Sequence, residues 1–574
     1  MCRASDTAFN VAHTRRPNLL GSNAAFVLLR HRVASRKRAP GACAGPGPLF
    51  ASLEGMPSQR DLDATRPAAI DHRSPWQPAG LATGLRARSL SEDITVDVCV
   101  IGAGMAGLLC ALELAERGRS VVVVERSHVG AGDTSATTAH LSAVLDRRYF
   151  ELASMHGEDA ARLVAKSHMR GIAHLERVMN AYGIECGFQR VSGFLCAAGK
   201  SQEKDLIREH AAAIAAGLNC ELVKRAPMTL TPGSALRVAN QAQFEPLQFL
   251  AGVLEVLNRK AVQLYTPVTV NEFDTSNTGE VLLGTAQGKR IRASHVVVAT
   301  NSPINDVAVI HTKQAAYRTY AIAFETREVR ATLSWDMEEP YHYVRLGIDA
   351  ETERPILIAG GEDHRVGQDD TAEKHFPRLE TWARERFPTL GNTVCQWSGQ
   401  VFEPSDGLAF IGKNPGQERV LVLTGFSGNG MTYSALSAEL IADLIDGVRH
   451  PFATLYDPKR KPASVSALSN YVLENLNTAA QYTDWIGPAD VASAEQIAPG
   501  EGAVVRRGLT RVAIYVDPAG TKHEFSATCP HLGGVVAWNS AEKSWDCPCH
   551  GSRFDCHGKA VTGPAVSNLQ PLNR

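Results

Sequence analysis

Two short strings near the end of the chain concentrate metal-ligating side chains. Cys529-Pro-His531 is followed, after fifteen intervening residues, by Cys547-Pro-Cys549-His550. Each string sets a thiol and an imidazole on a loop that carries glycine, Gly533-Gly534 in the first and Gly551 in the second. Two such loop tips can clamp one metal centre through Cys529, His531, Cys547 and His550. A structural zinc ion would accept the same four ligands. A different chemistry belongs to Gly102-Ala-Gly104-Met-Ala-Gly107. Gly102 permits a tight turn, Gly104 lets backbone approach a pyrophosphate, and Gly107 lets a helix pack closely on a sheet.

That glycine string is informative because of the elements around it. Thr95–Ile101 reads as an apolar strand, and a helical pattern runs from the glycines to near Gly118. A second strand, Val121–Val124, ends at Glu125. Strand, glycine turn, helix, strand and acid form a dinucleotide fold. The helix N-terminus offers unpaired N–H groups to phosphates. Glu125 can accept from ribose hydroxyls, and its charge disfavours a 2′-phosphate and therefore NADP. The motif alone does not separate FAD from NAD.

Later segments make that separation through a resemblance. They are the small-residue loop from Gly130 to Ser142, Tyr265-Thr-Pro-Val268-Thr read as a short strand, and His295–Asn301. Asp406–Gly412 follows, then the strand Val420–Thr424 and the turn Gly425-Phe-Ser-Gly428-Asn429-Gly430-Met431, which opens a helix to about Asp446. In this order the series resembles the D-amino-acid oxidase-like flavoproteins from roughly Ser74 to Tyr456. The resemblance implies FAD, with Gly102, Gly104 and Gly107 at its pyrophosphate, Glu125 at its ribose and Val268 at its adenine. Gly428, Asn429, Gly430 and Met431 would face the pyrimidine end of the flavin. A helix dipole there stabilises charge on the reduced ring. Where some sarcosine oxidases link FAD to a cysteine, this chain has Ser398, with Cys395 three residues off, so the expected FAD is non-covalent.

From about Ile486 to the end, the Cys/His strings and the Gly563-Pro564 loop resemble Rieske [2Fe–2S] domains, in which two Cys hold one iron and two His the other. Two departures follow. The partner of Cys549 in the disulfide of many respiratory Rieske proteins is replaced by Gly534, so Cys549 is expected as a free thiol. Phe554 stands where high-potential clusters carry a tyrosine, so the expected potential is lower. Ser552 can still donate to a cluster sulfur.

The predicted architecture combines α/β and α+β parts. A Rossmann-type FAD-binding domain with an interleaved substrate domain spans 86–456, a linker helix lies within 457–485, and a small all-β Rieske domain spans 486–574. The predicted activity is FAD-dependent oxidation of a small amine or amino-acid-like molecule. Flavin and cluster would exchange single electrons, and an unknown acceptor or donor would serve the cluster. The competing reading is a non-catalytic electron carrier or redox sensor. A Rieske oxygenase would need a mononuclear iron site, and no His-x4-His pair with a nearby Asp is present. Arg345 is the first candidate to grip a substrate carboxylate. His140 and Tyr343 are named as further catalytic candidates, with Tyr317 and Arg318 beside them.

The 574 residues carry a formal net charge of −1, which argues against a nucleic-acid partner. No apolar run is long enough for a membrane span. Eight of the twelve cysteines are scattered singly, which favours a reducing, cytoplasmic setting. Residues 1–55 hold eight Lys or Arg against two acids. That leader reads as a transit peptide or as sequence upstream of a true start at Met56, with residues 1–85 poorly ordered. In the linker, Leu468, Tyr471, Val472, Leu473 and Leu476 are expected to fill an interdomain seam.

Overall fold

The structure is a computed structural model that describes residues 73–76 and 88–572, apart from 229, 278, 306–309, 329, 370 and 463. The expectations for residues 1–72 lie outside the described residues. Runs of β-branched residues build the first sheet. Ile94–Ile101 pairs in parallel with Arg290–Val298 on one side and Val121–Val124 on the other. Gln263–Tyr265 and Val420–Thr424 extend the parallel set, Phe410–Lys413 closes it antiparallel, and the hairpin Val270–Asp274/Val281–Thr285 hangs from Arg290–Val298. Near-continuous burial of these strands explains their unbroken Val and Ile runs. Helix Met105–Glu116 lies on this sheet against helix Gly430–Ile445. A Cβ on Gly107 would collide with the Gly102 carbonyl, so glycine fixes that close approach.

The second sheet has nine strands. Its order is Thr393–Pro404, Gln314–Glu325, Pro355–Arg365, His342–Ile348, Leu333–Asp336, Gln189–Cys196, Ala235–Gln243 and His140–Leu141, with Cys220–Val223 beside Ala235–Gln243. Its strands come from segments interleaved with the first sheet. One face turns toward the loop after the glycine motif: the Trp397 indole donates to Ala136 O at 2.8 Å, and Gly399 sits 3.6 Å from the Ala136 Cβ at its own Cβ position. Helix His375–Arg386 covers the other face.

The C-terminal part is all β. Glu501–Arg507, Thr510–Val516 and Lys522–Ser526 form one antiparallel sheet, and Ala537–Asn539, Ser544–Asp546, Arg553–Asp555 and Ala560–Thr562 form another. Among the described residues no helix is long and apolar enough to cross a membrane.

Two local expectations need correction. Val268 is not in a strand, because Gln263–Tyr265 ends before Thr266-Pro267. The linker helix Val465–Gln481 packs with its polar side inward. Asn470 donates to Ser405 O, Asn475 to Thr312 O, and Glu474 pairs with Arg365. Only Ala467 is buried, whereas Leu468, Val472, Leu473 and Leu476 are exposed, so they fill no seam.

Candidate active site and cluster centre

The glycine turn is shaped by Gly102 at φ +107, where a Cβ would lie 2.5 Å from Ala299 O. A Cβ on Gly104 meets only the Thr134 hydroxyl, at 3.0 Å, which leaves the outer side of the turn open for a pyrophosphate. The Glu125 carboxylate accepts from the amides of Ala103 and Ser127, at 2.9 and 2.8 Å, and so stands at the rim of the turn. The Val268 amide donates to Glu125 O at 2.7 Å, so that backbone group is taken. Beyond the second strand, Gly428 N donates to Asp146 Oδ2 at 2.8 Å and helix Gly430–Ile445 begins. The Asn429 amide is structural, donating to Ser142 O and Val144 O, and the Met431 side chain is buried. These residues fit a dinucleotide with its phosphates at the first helix and its ring system near the second.

Beside that second helix the nine-stranded sheet presents carboxylates and phenols from adjacent strands. Glu403 bonds to Ser427, and Asp363 to Thr319 and Tyr341. The Tyr343 hydroxyl is 3.1 Å from the Thr319 hydroxyl. Asp146 adds a third acid at the rim. Burial pushes Asp363 up to about 7. Burial, reinforced by Asp146, pushes Glu403 up to about 8. Asp363 Oδ1 is buried with no hydrogen-bond partner. A buried orphan acceptor between two phenols calls for a donor from outside the chain.

None of these acids stood out in the sequence, because their strands are apart in the chain and meet only in the sheet. Of the candidates that did stand out, Tyr343 is on this wall. His140 is packed beneath it, its ring 5.4 Å from the rings of Tyr343 and Trp335. Burial, with Arg345 nearby, lowers His140 to about 3, so its imidazole is neutral at ordinary pH.

Arg345 is not available as a carboxylate fork. It is 1% exposed, its Nε donates to Leu346 O at 2.9 Å, and its Nη1 donates to the carbonyls of Ala139, Thr138 and Phe244. Glu245 lies 3.7 Å from its other nitrogen, and Trp76 stacks on it. It ties three segments together. Arg318 faces the C-terminal domain, where it forms a two-pronged ion pair with Glu542. Tyr317 lies under Arg365 beside the linker helix. Ser398 also turns to Arg318 and Glu542, away from the dinucleotide side.

At the C-terminal centre the two loops meet. The thiols of Cys529 and Cys547 are in hydrogen-bond contact, and Ser552 bonds to Cys529. The ring of His531 is 5.1 Å from that of His550. The two thiols thus pair with each other and the two imidazoles lie together, the pairing a [2Fe–2S] centre with two Cys on one iron and two His on the other would use. The Cys549 thiol overlies Gly534, 2.6 Å from where a Cβ would stand. Phe554 is fully buried. Both ligand imidazoles face the flavin-binding part: the His311 ring lies 4.8 Å from His531 and 5.7 Å from His550. Below them Glu542 sits between Arg318 and Arg553; although burial opposes it, the two guanidiniums hold its carboxyl down to about 2.

The profile of the FAD dependent oxidoreductases, DAO, matches residues 97–444. The chain belongs to that family. The Rieske [2Fe-2S] domain profile matches residues 487–573. The two matches give FAD as the first cofactor and a [2Fe–2S] cluster as the second. Among relatives of this flavoprotein, YhfW of Bacillus subtilis (strain 168), a protein named for a Rieske 2Fe-2S centre, is 29% identical over 84% of this chain and 95% of its own length. Gamma-glutamylputrescine oxidoreductase of Escherichia coli (strain K12) is 23% identical over 66% of this chain and 90% of its own. In fold, glycine oxidase from Geobacillus kaustophilus superposes with a TM-score of 0.53 and 18% identity over 64% of this chain and 99% of that one.

Proposed function

We propose that this oxidoreductase removes two electrons from a small cationic amine and passes them one at a time between FAD and the Rieske cluster. The observation that carries the reading is the orphan Oδ1 of Asp363, set with Glu403 and Asp146 on a wall of tyrosines. Carboxylates there attract an ammonium group. Arg345, the expected grip for a carboxylate, is occupied by backbone carbonyls. The gamma-glutamylputrescine oxidoreductase relative, named for an amine, is consistent with this preference.

The bound flavin supplies the hydride acceptor. The chain supplies the rest. Asp363, the more readily ionised of the two acids, holds the ammonium, with Glu403 beside it. Asp363 Oδ1, near neutrality in pKa, takes one proton so that the amine loses hydride as a neutral nitrogen. Tyr341 and Tyr343 would line the site beside Asp363. The test is anaerobic mixing of the holoprotein with a panel of aliphatic amines, amino acids and hydroxy acids. Bleaching of the flavin by amines, with the reduced cluster appearing by EPR, supports the reading. Bleaching by amino acids alone overturns the cation preference. Reduction only by a protein donor favours the electron-carrier reading.

A further inference from the structure

One residue touches the loops of both cofactors, through its backbone on one side and its side chain on the other. Gln400 lies on the edge strand Thr393–Pro404 and is 2% exposed. Its backbone N donates to Asp133 Oδ1 at 2.8 Å, and Asp133 opens the short helix Asp133–Ala136 after the glycine motif. Its carboxamide donates to Gly551 O, also at 2.8 Å, and Gly551 lies between His550 and Ser552 on the second cluster loop. Asn301, at the end of a Rossmann strand, bonds the other Asp133 oxygen at 2.6 Å. The chain of contacts from flavin loop to cluster loop is therefore Asp133, Gln400, Gly551.

The seat is tight. A Cβ on Gly551 would collide with the Ala316 side chain and lie 2.7 Å from Gln400 Nε2. A Cβ on Gly367 would lie 2.8 Å from Asp546 O, and Gln368 donates to Pro548 O at 3.1 Å. His311 completes the seat by packing against both ligand imidazoles.

We infer that Gln400 is a positioning residue that, with His311, holds the cluster loop against the flavin loop as a fixed electron bridge. The inference rests on the flavin–cluster exchange proposed above. In that exchange, with both cofactors bound, one electron would pass from reduced flavin to the oxidised cluster and the matching proton would leave to solvent; the second would follow once a one-electron acceptor protein had drawn off the first. Without the Gln400 carboxamide the cluster loop loses a buried bond on the side facing the flavin. The gap can then widen, and electron tunnelling weakens steeply with distance.

The experiment uses the full-length holoprotein with both cofactors. Flavin is reduced anaerobically by a light pulse, and flavin and cluster absorbance are followed together. In Gln400→Met the flavin-to-cluster rate should fall tenfold or more while the EPR line shape of the reduced cluster stays native. His311→Phe, which keeps a ring in the wedge, should slow transfer less than Gln400→Met does. Native transfer rates in Gln400→Met, with the cluster intact, would overturn the bridge alone. Absence of any transfer in the unmodified protein would overturn the proposed function itself. If Gln400→Met fails to retain its cluster, hydrogen exchange of residues 547–552 in the unmodified protein decides: core-like protection supports the clamp and rapid exchange refutes it.

Discussion

Neutralising Asp363 should weaken amine capture and strengthen the fold at the same time. The carboxyl is raised from 3.8 to about 7 by burial. A carboxyl with pKa near 7 is about one-tenth ionised at pH 6 and about nine-tenths at pH 8, so amine affinity should rise roughly ninefold over that span. An aliphatic ammonium, with a pKa near that of lysine at about 10.4, stays charged throughout. Asp363→Asn should remove this step and leave one centred near 8 from Glu403. Losing a charge-assisted hydrogen bond of about 1.5–3 kcal/mol should lower affinity at pH 8 by roughly 10- to 150-fold. Stability moves the other way. A raised carboxyl pKa means that the folded state binds the proton more tightly, so its contribution is full below pH 3.8 and declines as pH rises to about 7. Three units at 1.36 kcal/mol set an upper figure of about 4 kcal/mol, which the amide recovers above pH 7. The assay is half-saturation of anaerobic flavin bleaching from pH 6 to 9, paired with thermal melts at pH 5 and 8. Unchanged pH dependence in Asp363→Asn, or a lower melting temperature than native at pH 8, would refute the assignment.

Arg318→Met should strand Glu542 beside Arg553 in the seam. With Arg553 still paired to it, the cost should stay below the about 3–5 kcal/mol of an uncompensated buried charge, read as an early-melting C-terminal domain by calorimetry. Arg345→Met should lower stability by a comparable amount because its carbonyl partners lose their donor, while half-saturation for amines in the surviving protein stays within about twofold of native; a large selective loss of affinity would restore Arg345 to the substrate site. Phe554→Tyr should raise the cluster's midpoint potential in a redox titration by adding a donor near a sulfur. Acid precipitation should release all FAD into the supernatant, since Ser398 faces Glu542.

The cofactor frame was legible because its signals are local. Gly102 to Glu125 fits within one βαβ unit, and each cluster loop carries its own thiol and imidazole. The all-β character of the tail was legible too, and strands such as Thr510–Val516 and Lys522–Ser526 build it. The substrate wall was not legible. Thr319, Tyr343, Asp363 and Glu403 come from four strands whose pairing is set only by tertiary contacts, and an isolated acid in a strand carries no spacing signal. Arg345 misled because its strand position was correct while its guanidinium satisfies carbonyls of a loop about 200 residues away. The linker misled because helical periodicity shows that a face is apolar, not which way it turns.

The inward orientation of His531 and His550 also bears on how the protein meets air. An iron–sulfur head that displays its imidazole edges to the medium can leak electrons to dissolved oxygen. Here the His311 ring packs against both imidazoles and His550 is buried, so a cluster held by them would meet dissolved oxygen less readily. The first loop is braced as well, Tyr482 and Trp485 donating to the carbonyls of Leu532 and Gly533.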